Sequence, residues 1–481
     1  MKERIFRRIL AAGAALVLSA ALIFFPSCTG AGSDTPGSAT AAPESSRVLI
    51  RPEPKPEPKP EPEVTVMPPS PDITMSLVQF TGEDGLAEFG YADREFGIVH
   101  SLYYREEYFG RTLEGSRMFK KFDIRDITAE VGGDSDAFLR AMTAADAAGT
   151  PFDIVCMPSA TAMQAVTRGL LFDINNIYKS YIDTYDPWWQ RGIIEDITVG
   201  DGELYFVTGG LSYGFMRSLT GVFYNTGIID DCYRFLENDE WTVGHLISLA
   251  SEHGITADDG SMFAILTGAD LPTAVKDDGG IPRACDIQND GDRLSVLIDR
   301  LLPMKRSFSV YRSYTQNRAT FAVQPIGFGA DLIADPEVRY RIMPMPKYDE
   351  TQVAYITPVG AGCNAFAISA KCTEPEAATL VLEALATESY CTLRKTVFEV
   401  CYRHTYGAKS DALNVFELMI DTARCDPGIF ANGYSDEAAA ASIRAPRGGS
   451  LSSYNAARHN GYWDSFAAAI KKAAGEELTG G

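Results

Sequence analysis

The chain has 481 residues, too many for one small core, and 46% are hydrophobic against 22% charged, the balance of a folded protein rather than a disordered one. Its 64 carboxylates against 43 lysines and arginines leave a net charge of −21, which repels a phosphate backbone and argues against nucleic acid as a partner. Nine cysteines include no C-x-x-C pair, and no histidine stands at zinc-site spacing, so no structural zinc site and no cofactor is expected.

The first segment, residues 1–28, has the form of an export signal. Lys2, Arg4, Arg7 and Arg8 precede an uncharged apolar run from Ile9 to Phe25. The run ends in Phe25-Pro26-Ser27-Cys28, a small residue directly before a cysteine, which resembles a bacterial lipobox and marks Cys28 for lipidation. An ordinary cleaved signal and an uncleaved anchor are the other readings, and all three place the body outside the cytoplasm. Residues 29–71 cannot build a core. Thr29 to Ser46 is rich in Gly, Ser, Ala, Thr and Pro, and Pro52 to Pro62 alternates proline with Glu or Lys. Alternate prolines forbid helix and sheet ladders and favour extended polyproline II, so this is a spacer between a membrane surface and the body.

The body alternates strands and helices. Asp72 to Phe80 reads as a first strand. Asp134-Ser135 caps a helix with Phe138, Leu139, Met142 and Ala145 on one face. Phe152 to Met157 suits a buried parallel strand, and Thr161 to Leu171 a helix. Leu219 to Tyr224 is a strand, and Thr242 caps a helix carrying Leu246, Ile247, Leu249 and Ala250. Arg293 to Leu302 is a helix, and Thr320 to Gln324 and Tyr340 to Met343 are strands. Thr373-Glu374-Pro375-Glu376 reads as a capping box opening a helix to about Ala386, and the last helix runs from about Trp463 to Glu476. Such alternation predicts an α/β fold with mostly parallel sheets, and a body of this length predicts two lobes with a cleft between them. The eight body cysteines, Cys156 to Cys425, read as buried thiols; Cys391 and Cys401 are the pair close enough in sequence to invite a disulfide.

Ordered blocks in the body resemble the family 1 extracellular solute-binding proteins. They are Ala148 to Val155, Gly169 to Ile174, Gly221 to Thr226, Glu240-Trp241-Thr242 and Arg341 to Tyr348. Asp186-Pro187-Trp188-Trp189, Glu203 to Gly209, and Lys347-Tyr348-Asp349-Glu350 followed by Gln352 and Tyr355 resemble a branch common in clostridia. The resemblance implies a two-lobed, type II periplasmic-binding-protein-like fold. It puts the first crossover near Leu219 to Tyr224 and the return near Tyr355 to Ile368. Lobe 1 is then 72–222 plus 359–405, and lobe 2 is 223–358 plus 406–481. It also implies a monomer on the extracellular face of the cytoplasmic membrane, tethered through Cys28, that captures a solute and delivers it to the permease subunits of an ABC transporter.

A sugar or oligosaccharide is the expected solute, because aromatic faces stack on sugar rings and polar groups pair with hydroxyls. Trp188, Trp189, Tyr205, Tyr213, Phe328 and Tyr355 fall near predicted strand ends, and Ser159 and Thr161 follow a predicted strand. Core packing is the competing reading for each aromatic. A secreted hydrolase is the main alternative, since Gly210-Leu211-Ser212-Tyr213-Gly214 matches the G-x-S-x-G elbow, with His404 and His459 downstream. That motif needs a helix directly after it, and the following residues read as strand and turn. A sensor feeding a membrane kinase is a further alternative. Asp258-Asp259-Gly260 and Asn289 to Asp292 are fragments of calcium loops and read as acidic turns, so no metal is expected.

Overall fold

In the computed structural model of the chain, the residues described are 74–82, 88, 121–229, 232–250, 254–256, 259–272, 274–284, 315–316, 318–329, 339–360, 363–394, 397, 412–427 and 456–473. All belong to the unit Ser70–Gly481. The export signal, Cys28, the linker, the expected helix 293–302, Asn289 to Asp292, Cys401 and His404 lie outside the described residues.

The chain enters through β1 (Thr74–Gln79), β2 (Lys121–Asp126), α1 (Ser135–Ala147), β3 (Ile154–Pro158) and α2 (Ser159–Thr167). Asp134 caps α1 as expected: its carboxylate accepts the Ala137 amide at 2.6 Å, and Phe138, Leu139 and Met142 are buried. The α2 helix stops earlier than Leu171, because Gly169 takes a φ of 67° and turns the chain toward the sheet. Next come α3 (Arg191–Ile197), β4 (Phe206–Val207), α4 (Tyr213–Ser218) and β5 (Thr220–Asn225). They are followed by α5 (Val243–Ala250), β6 (Ile255–Thr256) and a hairpin of β7 (Ala274–Lys276) and β8 (Pro282–Ala284). The chain continues through β9 (Phe321–Pro325), β10 (Tyr340–Met343), β11 (Thr357–Pro358) and β12 (Asn364–Ile368). It closes with α6 (Pro375–Glu388), α7 (Ala412–Asp421), β13 (Ala423–Arg424) and α8 (Ala456–Ala473). The capping box is not made: Glu374 is the cap, its side chain bonds no amide, and Pro375 at the first position sets the start of α6.

Two main sheets result. The first has the order β2-β1-β3-β12-β4, and the second β10-β5-β9-β6. β1 runs parallel to β2 and β3, while β12 is antiparallel to both β3 and β4. In the second sheet β5 is antiparallel to β9 and β10 and β6 is parallel to β9, so β5 alone runs against the other three. The expectation of mostly parallel sheets therefore holds for the pairs within β2-β1-β3 and for β6-β9, but not for the pairs made by β5 and β12. Alternation in sequence does not register a strand that arrives from far along the chain, and β12 inserts after more than 200 intervening residues. Residues Ile154 to Met157 and all of β5 are buried, which explains their unbroken apolar character.

The sheets are joined by three passages lying side by side. Leu219 bridges Val359, Gly360 donates its amide to Ser218 at 2.9 Å, and β11 pairs with β13. Asp196 of α3 fixes the third passage by accepting from the Arg424 guanidinium and from the Cys425 amide at 2.8 Å. Among the described residues, Cys156, Cys363, Cys372 and Cys425 are free thiols.

The β7–β8 hairpin lies in sequence between strands of the second sheet, yet it docks on the turn before β4. Gly200 donates its amide to the Gly280 carbonyl at 3.2 Å, and Lys276 Nζ donates to the Glu195 carbonyl. Arg283 pairs with Asp464 of α8, which lies against both β8 and α2. Gly280 has a φ of 69°, and a Cβ there would fall 2.1 Å from the Gly200 carbonyl oxygen. Gly132, at a φ of 67°, has open space around it. Gly280→Ala should therefore lose clearly more stability in chemical denaturation than Gly132→Ala, which bears only the backbone penalty of about 1–2 kcal/mol. Equal losses would show that the hairpin contact contributes nothing.

Candidate functional site at the meeting of two carboxyl edges

Parallel β1 and β3 end on the same edge of the first sheet. Because β12 runs the other way, its first residue, Asn364, stands opposite Pro158 on that edge. The loop after β1 brings Glu88 there. Its amide donates to Gln79 Oε1 at 2.6 Å, and Gln79 Nε2 donates in turn to Asp126 at 2.7 Å. The Glu88 carboxylate is fully buried. It accepts from Ser212 Oγ at 2.6 Å, the Tyr213 and Gly214 amides at 2.9 Å, and Asn364 Nδ2 at 2.9 Å. Burial pushes its pKa up, and these donors pull it back.

The G-x-S-x-G segment is thus followed directly by a helix, contrary to the expectation of strand and turn. Ser212 is the cap of α4: its hydroxyl accepts the Phe215 amide at 2.9 Å. The strand-forming run begins only at Thr220. This serine is fully buried and its hydroxyl donates to a carboxylate. His245, the histidine whose side chain is described, pairs with Thr242 instead. Before the cap, Gly209 takes a φ of 121° beside Gln190, whose amide oxygen accepts from Gly210 at 2.6 Å; Ser389 Oγ donates to the Gly210 carbonyl.

The second sheet contributes the end of β9. Ile326 donates its amide to Leu219 at 2.8 Å and Gly327 donates to the Arg217 carbonyl at 3.0 Å. A Cβ on Gly327 would lie 2.8 Å from Arg217 Nε, so only glycine lets this guanidinium lie against the backbone. The Arg217 guanidinium also lies 6.0 Å from the Tyr213 ring centroid. The carboxyl ends of β4 and β9 therefore converge on the short stretch where the chain first passes between sheets. In open α/β sheets that edge is where ligands bind.

The residues expected to hold a solute are distributed as follows. Tyr213 and Phe328 are both buried at this convergence, and the Phe328 ring meets Phe223 edge-on at 5.3 Å. Ser159 is fully buried on the carboxyl edge and donates its amide to the Cys363 carbonyl at 3.1 Å. Thr161 is buried, its hydroxyl 2.9 Å from that of Ser135. Tyr205 is buried, and its phenol is pushed up to about 12 by desolvation first and by Glu203 and Asp173 next. Tyr355 is buried with Lys347 Nζ 5.1 Å from its ring centroid. Trp189 is buried and Trp188 half-buried, and both indoles donate to Glu383 of α6, each at 3.0 Å. Trp188 also meets Tyr390 edge-on at 6.5 Å.

Glu88, Asn364, Glu383 and Arg217 were not anticipated. No local pattern distinguishes the first three, because their partners lie 124 to 276 residues away in sequence. Arg217 did carry a signal, as the one charged residue between Leu204 and Asn225.

No family model and no curated protein matches the chain. Solved structures do. A cyclo/maltodextrin-binding protein complexed with maltotetraose aligns at a TM-score of 0.50 with 12% identity over 86% of this chain and 99% of its own. A cyclic alpha-maltosyl-1,6-maltose binding protein from Arthrobacter globiformis gives 0.51 and 15% over 84% and 99%. An uncharacterized protein from Listeria monocytogenes gives 0.51 and 11% over 83% and 99%. The chain has the two-lobed, type II periplasmic-binding-protein fold. The sheet order places the first sheet in one lobe, the second in the other, and the three passages at the hinge.

Two outcomes test the site's electrostatics. Glu383 is pushed up to about 7, with burial the largest cause, Asp186 and Asp183 adding to it and the two indole donors opposing it. Its folded pKa is above the unfolded value, so the folded state holds the proton more tightly. Stability should then fall as pH rises from about 4.5 to about 7, by on the order of 3 kcal/mol at ~1.4 kcal/mol per pKa unit. Urea denaturation across that range should show the decline in wild type and a flatter profile in Glu383→Gln. Glu88→Leu strands buried donors and should cost about 3 kcal/mol or more in the same measurement.

Proposed function

We propose that this chain is an extracellular solute-binding protein that captures a sugar or oligosaccharide between its lobes and delivers it to an ABC permease. One observation carries the reading: the carboxyl edges of both sheets meet at Arg217 and Gly327, beside three adjacent passages of chain between the sheets. That arrangement supports capture by hinge closure. Two structures sharing the fold are described as complexed with maltotetraose and as binding a cyclic maltosyl-maltose, which supports a saccharide here. Trp188, Trp189, Ser159, Thr161, Tyr205, Tyr213, Phe328 and Tyr355 remain the proposed lining, with Trp188 the one that is half-buried and the others buried. The engagement of the Ser212 hydroxyl as a cap and as a donor to Glu88 favours binding over hydrolysis.

The basic, apolar leader ending in Ser27-Cys28 and the proline-rich spacer support export, lipidation at Cys28 and tethering on the outer face of the membrane. The protein acts in this scheme as a monomer without a cofactor.

Thermal denaturation of the full-length chain in detergent, with mono- and oligosaccharides, amino acids, peptides and polyamines, tests the assignment. A saccharide at about a hundredfold its Kd should add about 2.7 kcal/mol, and Trp188→Ala should reduce that gain. A flat response to every solute, together with turnover of an ester or glycoside, would replace binding with catalysis.

A further inference from the structure

Residues 177–190 lie along α6. Tyr181 donates its amide to Thr379 Oγ1 at 3.0 Å, the Trp188 and Trp189 indoles reach Glu383 one turn further on, and Trp188 meets Tyr390 just past the end of the helix. Between these anchors the backbone is held by turns. Asp183 accepts the Tyr185 amide on its carboxylate at 3.1 Å, and the Asp186 carbonyl accepts the Trp189 amide at 3.0 Å. The segment is thus fixed, yet several of its rings stay in solvent. Tyr178 is 80% and Tyr185 83% exposed, although Lys179 Nζ lies 5.2 Å and the Arg191 guanidinium 5.9 Å from their ring centroids. Tyr390 is 36% exposed. Among the described residues, the other large hydrophobic side chains as exposed as these are two valines elsewhere in the chain, Val275 and Val353. Single exposed apolar groups are ordinary, but three rings along one fixed segment and its helix are not.

We propose that Tyr178, Tyr185 and Tyr390 form a surface site for a neutral polysaccharide chain, laid across the rings along α6. None of the three belongs to the lining proposed for the captured solute, and the site does not depend on that reading. The residue types select the occupant. A phenol offers an apolar face and a hydroxyl together, so the apolar faces of sugar rings stack on it while their hydroxyls find polar partners. Asn176, Lys179 and Asp183 are exposed among the rings, a mixture that suits a polymer rich in hydroxyls, whereas the core of a protein interface is depleted of charge. Over residues 379–390 the helix and its end rise about 16 Å, so the rings form a line that admits several sugars in a row rather than the broad patch of ~800 Å² that a stable protein partner needs. Asp183 and Asp186, in a chain of net charge −21, disfavour a polyanionic glycan. The anchors to α6 set the segment before binding, which lowers the ordering cost of a weak, extended contact.

The test is affinity electrophoresis of the full-length chain in detergent, in native gels containing amylopectin, mixed-linkage β-glucan, xylan or galactomannan, with polygalacturonate as the acidic control. Retardation against polymer concentration gives the Kd for wild type, Tyr178→Ala, Tyr185→Ala, Tyr390→Ala and the triple variant, and the melting curve of each is the folding control. Nitration by tetranitromethane, with and without polymer, is read at Tyr178 and Tyr185 by mass spectrometry. The expected result is retardation by at least one neutral polymer and none by polygalacturonate, with the Kd raised about 2- to 10-fold by each single substitution, the worth of one aromatic contact, and retardation lost in the triple variant. The same polymer should protect Tyr178 and Tyr185 from nitration. If a variant does not fold, the protection measurement decides alone. Retardation that survives in the folded triple variant places the polymer elsewhere and overturns the inference, as does the absence of retardation by every neutral polymer. Tyrosines protected only as the protein's own concentration rises would assign the rings to a second copy of the chain and overturn it as well. The thermal screen with small solutes is a separate measurement, so the solute-binding reading stands or falls independently.

Discussion

One buried carboxylate organises the carboxyl edge of the first lobe. Glu88 joins the loop after β1, the start of α4 and the first residue of β12, which are otherwise far apart in the chain. Burying a carboxylate in an apolar interior is unfavourable, and the raised pKa of Glu88 records that cost. The offset comes from four donors arranged around its two oxygens, two of them backbone amides at the start of a helix. Removing any one partner leaves the others facing an unbalanced charge, so the network behaves as a unit. Gly214 is part of it, since a Cβ there would approach Glu88 Oε1 to 3.1 Å and Asn364 Nδ2 to 3.2 Å.

The position of α4 follows from that anchor, and the hinge follows from α4. Its last turn delivers Arg217, Ser218 and Leu219, whose carbonyls accept from Gly327, Gly360 and Ile326 respectively. One three-residue stretch thus holds the end of β9 and the return passage together. Further along, Asp196 and Arg424 fix the third passage, and Arg394 after α6 pairs with Glu417 and Asp421 of α7. The β7–β8 hairpin adds a contact away from these passages, where Gly280 packs on Gly200 with no room for a side chain.

The paired tryptophans are held in place by polar links to α6. Glu383 holds both indoles from α6, and Gln190, next in sequence, holds the Gly209–Gly210 turn at the end of β4. The turn is also gripped by Ser389, one turn and a half beyond Glu383 on the same stretch. Trp188 and Trp189 are thereby tied to the carboxyl edge through short polar links rather than by apolar contact alone.

Much of the fold is legible along the chain. The unbroken apolar run of β3, the Asp134 cap of α1, the Thr242 start of α5 and the limits of β10 are all local events, governed by residues within a few positions of one another. Propensity, capping and burial periodicity act at that range, so the sequence by itself determined the α/β class, the main elements and the order of blocks that resembles solute-binding proteins. The tertiary structure decided the rest. It inserted β12 antiparallel into the first sheet, turned the G-x-S-x-G segment into a capped helix, and docked the β7–β8 hairpin away from its neighbours in sequence. It also gathered Glu88, Ser212 and Asn364 into one network and set Arg217 against Gly327. Apart from the local Ser212 cap, each of these rests on a hydrogen bond or a close approach between residues scores to hundreds of positions apart, where composition and periodicity carry no information about which groups will meet.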